Sequence, residues 1–120
     1  MDTKSVVEAY LATWNSEGEH RAKLIAEHWA PDVTYTEPLA EVTGHAGLTA
    51  LIDGVRAQFP GWVFTPVGEP DGHHGRLRFR WGLGAAGEEP TVVGFDVLVL
   101  DGEGRIREVL GFLDKVPAGA

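Results

Sequence analysis

After Pro60-Gly61 the apolar residues of this chain recur at every second position; before it they recur at every third or fourth. From Arg76 to Leu83 the alternation is strict, with Arg76, Arg78 and Arg80 on one face and Leu77, Phe79, Trp81 and Leu83 on the other. A period of two marks a strand with one face toward a core. Trp62 to Val67 reads as the strand before it, with a turn predicted at Pro70-Asp71-Gly72. Gly84 to Pro90 makes the next turn, and Thr91 to Leu100 and Ile106 to Leu113 follow as strands joined by the hairpin Asp101-Gly102-Glu103-Gly104. Upstream, Val6, Val7, Tyr10, Leu11 and Trp14 predict a helix over Ser5 to Asn15, capped by Thr3 or Ser5. Leu24, Ile25 and Trp29 predict a second over Arg21 to His28, which Pro31 keeps from continuing. Leu48, Leu51, Ile52 and Val55 predict a third over Gly44 to Gln58. Only Val33-Thr34-Tyr35 interrupts the helical half, as a short strand closed by Glu37-Pro38. Helices first and hairpin-linked strands after them predict an α+β fold, one face of a curved antiparallel sheet being covered by three helices. No repeat or linker divides the 120 residues, so one domain is expected.

The charge balance narrows the partners. Eighteen acidic residues against ten basic ones give a formal charge of −8, which repels phosphate backbones and anionic lipid. Neither nucleic acid nor a membrane is therefore expected as a partner. No apolar run approaches the ~18 residues of a membrane span, and MDTKSVVEAYLATWN lacks the apolar core of a signal peptide. The absence of cysteine suits a reducing compartment, so a cytoplasmic location is expected, and it removes disulfides and thiolate nucleophiles from consideration. No histidine pair has the helical spacing of a zinc motif, and Gly82, Gly84 and Gly87 do not precede a helix as a dinucleotide fingerprint requires. Neither a metal nor a cofactor is expected. A small hydrophobic or carbonyl-bearing molecule is the ligand that fits.

Three residues carry possible chemistry. Asp96 shares a strand face with Val92, Gly94, Leu98 and Leu100, and the alternate face, Val93, Phe95, Val97 and Val99, is also apolar. An acid between two such faces is partly buried whichever way it points, so it pairs, binds a metal or takes up a proton. A place near solvent at the strand end, or an arginine partner, would equally satisfy it. Glu37 precedes Pro38, which biases it toward an extended backbone and a fixed direction; a solvated loop acid is the alternative. Tyr10 lies in the apolar stripe of the first helix, where a buried phenol seeks a partner for its hydroxyl.

In combination these residues resemble a known family. Ala9-Tyr10-Leu11-Ala12-Thr13-Trp14-Asn15 is similar to the opening helix of bacterial ketosteroid isomerases. Val33-Thr34-Tyr35-Thr36-Glu37-Pro38 resembles their loop with a catalytic acid before proline. The run from Phe95 to Ile106 resembles their aspartate-bearing strand and hairpin. Over nearly its whole length the chain resembles the nuclear-transport-factor-2-like superfamily, in the branch of ketosteroid isomerases and SnoaL-like polyketide cyclases. The resemblance implies a cone with an internal pocket and proton transfer next to a carbonyl, with Glu37 as base and Tyr10 and a protonated Asp96 as donors to the enolate oxygen. By the same resemblance Phe79, Trp81, Leu83, Val109, Gly111 and Leu113 would face the pocket, with Trp14, Trp29, Tyr35, Leu51 and Phe59 closing its other walls. A ligand-binding module without chemistry is the alternative. Epoxide hydrolysis ranks third, because it needs an arginine between acids and Arg78 and Arg80 lie on the face opposite Phe79 and Trp81. The apolar face of Phe95, Val97 and Val99, which the helices would leave uncovered, predicts a homodimer.

Overall fold

The structure is a computed structural model and describes residues 2–117. Three helices, α1 (Thr3–Asn15), α2 (Gly18–His28) and α3 (Gly44–Gln58), pack on one face of six strands: β1 (Trp29–Glu37), β2 (Ala40–Thr43), β3 (Val63–His73), β4 (Arg76–Gly84), β5 (Val92–Leu100) and β6 (Ile106–Lys115). The sheet is curved and unclosed, with strand order β2-β1-β6-β5-β4-β3. The helices follow the sequence pattern closely, but the cap of α1 does not. Asp2, rather than Thr3 or Ser5, accepts hydrogen bonds from the backbone N–H groups of Lys4 and Ser5, because it sits one residue outside the first turn in extended conformation.

The sheet is α+β as expected but not wholly antiparallel: β1 pairs parallel to β6. Alternation reveals which face a strand buries and says nothing about which strand lies beside it. The register of this pair shifts between Trp29 and Thr34, around Pro31, which has no N–H to give to the ladder. β1 is accordingly longer than Val33-Thr34-Tyr35, and β2 folds back on it through a turn at Pro38-Leu39 that pairs Glu37 with Ala40.

The turn predicted at Pro70-Asp71-Gly72 is instead part of β3. This is an edge strand, where prolines are tolerated, and the pairing with β4 shifts between Val67 and Asp71. The reversal falls at His74-Gly75, both with positive φ (48° and 75°), as a two-residue hairpin with right-handed strand twist requires.

Two side-chain ties fix the helices. Asn15 bonds both the backbone N–H and the carbonyl of Phe64 at 2.8 Å, docking the end of α1 on β3. Buried Arg21 reaches Asp53 at 2.5 Å and the Ser16 carbonyl at 2.9 Å, holding α2 to α3. Among the described residues no helix is long and apolar enough to cross a membrane.

Candidate active site

The registers line up one row of side chains across the inner face of the sheet. Phe79 of β4 pairs with Asp96 of β5, and Asp96 pairs with Gly111 of β6. Thr36 of β1 pairs with Leu110, which brings Glu37 to the height of Gly111. Gly111 is what lets the two acids approach. A Cβ there would lie 3.0 Å from Asp96 Oδ1 and 3.2 Å from Glu37 Cβ. The row behind it holds Trp81, whose indole packs against Gly94 in space that any side chain at position 94 would occupy.

These rows wall a cavity of about 300 Å³ beneath the helices. Of the residues expected to face a pocket, Tyr10, Trp14, Tyr35, Glu37, Leu51, Phe59, Trp81, Leu83, Asp96, Gly111 and Leu113 line it. Trp29, Phe79 and Val109 do not; they belong to the core behind the wall. Phe79 meets the Tyr10 ring edge-on at 4.8 Å and Trp29 lies 5.5 Å from it, so the two pack around Tyr10 rather than lining the cavity. Val55 and Gln58 of α3, Phe64 of β3 and Val92 of β5 complete the lining, with Pro38, Leu39, Phe112, Val116 and Pro117 at the rim. Phe64 was legible as an alternating apolar residue, but only the pairing of β3 at the sheet edge turns it toward the cavity.

Asp96 is 1% exposed. Tyr10 Oη donates to its Oδ2 and stands 2.5 Å from Tyr35 Oη, so α1, β1 and β5 converge on one buried Tyr35–Tyr10–Asp96 chain. Burial raises the Asp96 carboxyl to about 6; the hydrogen bond from Tyr10 and the facing indole of Trp81 pull it down, and the nearby Glu37 charge pushes it up. Burial and the Asp96 charge raise both phenols well above their ordinary value, so both stay protonated donors. Glu37 is half-buried, and its Oε1 accepts the Leu39 N–H at 3.1 Å across the β1–β2 turn, which steadies the carboxylate at the rim. No arginine lines the cavity among the described residues, and Arg78 and Arg80 face outward toward Asp71 and Asp114.

The fold is thus α+β, with an apolar cavity that holds one deeply buried acid and a second acid at its mouth. The model of the SnoaL-like domain matches residues 7–109, and this chain belongs to that family; a nuclear-transport-factor-2-like protein from Exiguobacterium shares the fold. It is similar to a proposed isomerase of the SnoaL-like family from Agrobacterium tumefaciens, with 40% identity over 93% of this chain and 97% of the other and a TM-score of 0.88. A proposed polyketide cyclase from Sinorhizobium meliloti shares the fold at 15% identity over 92% and 94% of the two chains, with a TM-score of 0.69. AclR of Streptomyces galilaeus, a proposed hydroxylase, shares it at 20% identity over 97% and 81%, with a TM-score of 0.68. No curated protein matches the chain significantly.

Proposed function

We propose that this protein is an enzyme that moves a proton next to a carbonyl, by isomerisation or aldol-type cyclisation, with Glu37 as the base. The observation that carries the reading is the meeting of Glu37 and Asp96 at Gly111 in a cavity otherwise lined mainly by apolar side chains. A ketone bound with its oxygen toward Asp96 has its α-carbon on the Glu37 side. Glu37 takes the α-proton, the electron pair moves onto the oxygen as an enolate, and protonated Asp96 donates a hydrogen bond to that oxygen while Tyr10 holds Asp96 through its own O–H. Return of the proton from Glu37 to the γ-carbon completes an isomerisation; attack of the enolate carbon on a second carbonyl, whose oxygen then takes the proton from Glu37, completes a cyclisation.

The test is deuterium exchange at the α-carbon of a panel of ketones and β,γ-enones, followed by mass spectrometry in wild type and Glu37→Gln. Exchange that falls at least about a hundredfold in Glu37→Gln supports the reading. Saturable binding without exchange of any panel member overturns it in favour of a binding module.

A further inference from the structure

On its β4 side the cavity is walled by one bulky side chain set over a residue that has none. Trp81 of β4 pairs with Gly94 of β5, and Gly94 pairs in turn with Leu113 of β6. A Cβ at residue 94 would land on Cε2 and Cζ2 of the Trp81 ring, so the indole crosses from its own strand onto β5. Its N–H edge faces the carboxyl of Asp96, one row further in. The ring is backed by Phe64, edge-on at 5.5 Å, and Asn15 ties both backbone groups of Phe64 at 2.8 Å. Such a wall yields little, because a packed ring backed by a pinned strand has nowhere to move. The indole therefore fills the space over β5 through which a ligand could otherwise reach Asp96 from the β4 side. What stays open lies over β6, between Trp81 and Glu37 on β1, and runs on to the rim. Strands β1 and β5 are two strand spacings apart, about 10 Å. The cavity volume of about 300 Å³ is likewise at the lower end of the range for ligand pockets.

We propose that Trp81, seated on Gly94, sets the size and the orientation of the ligand. Ketones of one or two rings are admitted, with the carbonyl toward Asp96 and the α-carbon on the Glu37 side; four fused rings are excluded. This rests on the cavity being the substrate site and narrows the substrate class to small mono- and bicyclic ketones. Trp81 acts here through the bulk of its ring.

The probes are trans-2-decalone and 5α-androstan-3-one, which carry the same ring ketone on two and on four fused rings. Affinities are measured by equilibrium dialysis for wild type, Trp81→Leu, Gly94→Ala and the double variant. Wild type is expected to bind the decalone at least about tenfold more tightly than the steroid. Trp81→Leu is expected to shift that ratio toward the steroid by at least about tenfold. A merely loosened fold would weaken both ligands alike and leave the ratio where it was. Gly94→Ala drives the indole toward the ligand and is expected to weaken the decalone about tenfold. The double variant should regain that affinity, since the added methyl group then meets no indole. Equal wild-type affinity for the two probes, no binding of the decalone, or an unchanged ratio in Trp81→Leu overturns the proposal. Should Trp81→Leu fail to fold, Gly94→Ala decides: undiminished decalone binding in that variant overturns it as well. Because these readouts report binding, size selection holds even if the exchange assay shows no turnover. Exchange that depends on Glu37 alongside an unchanged ratio would sink this inference alone.

Discussion

Asp96 and Glu37 reach one cavity from strands that do not touch each other, β5 and β1, and the strand between them contributes Gly111 at the crossing point. The sheet order thus places a buried acid and a half-buried one side by side while keeping their environments apart: Asp96 sits under Tyr10, and Glu37 sits at the rim on the Leu39 N–H. Two carboxyl groups in one site do different work when their surroundings push their proton affinities apart.

Gly111 is therefore the position at which one added methyl group bears on both acids at once. Gly111→Ala adds a Cβ against both Asp96 and Glu37. It is expected to cost about 1–3 kcal/mol of stability in urea unfolding and at least about tenfold in the exchange rate. A variant with wild-type exchange would show that the spacing of the two acids does not matter.

Stability should carry the signature of the buried acid. The Asp96 pKa is raised from 3.8 to about 6 in the folded chain, so its contribution is fully present below pH 3.8 and is lost as pH rises through 6. That loss amounts to about 3 kcal/mol. Asp96→Asn keeps the shape without the ionisation. The difference in stability between wild type and variant, from urea unfolding at pH 3.5 to 8, should change by this amount and level off above pH 7.

The rate follows the same group with the same sign. If Asp96 donates in its protonated form, kcat/KM for exchange falls about tenfold per pH unit above 6. Asp96→Asn should be slow throughout and should lack that fall. A wild-type profile that is flat from pH 6 to 8 would remove protonated Asp96 from the mechanism.

Tyr10→Phe deletes the hydrogen bond that holds the Asp96 pKa down. The carboxyl carbon of Asp96, titrated by NMR, should then show a midpoint above 6. Tyr35→Phe, which acts on Asp96 only through Tyr10, should move the midpoint less.

Self-association is our proposal for the outer face. Phe95, Val97 and Val99 are half-exposed there, and Phe112 is 55% exposed beside Phe95, with the rings 6.5 Å apart. Phe112→Arg should shift the sedimentation of a wild-type dimer toward the monomer; a wild type that sediments as a monomer at high concentration would end this reading.

The elements were legible in the sequence because each is written in local periodicity. The stripe of Leu48, Leu51, Ile52 and Val55 gives α3, and the alternation from Arg76 to Leu83 gives β4, since one face of each must leave water. The buried state of Asp96 was legible for the same reason, from the apolar residues on both sides of it in its own strand. The family resemblance supplied Glu37 and Tyr10, for which local pattern alone left bland readings open. What no local pattern contains is which strand lies beside which. The parallel pairing of β1 with β6 and the displacement of the β3–β4 turn to His74-Gly75 depend on contacts between residues far apart in the chain. So does the meeting of Glu37 and Asp96 at Gly111. The sequence by itself determined which residues are buried; only the tertiary structure decided which of the buried residues face the cavity, because that depends on sheet order and curvature rather than on the free energy of leaving water.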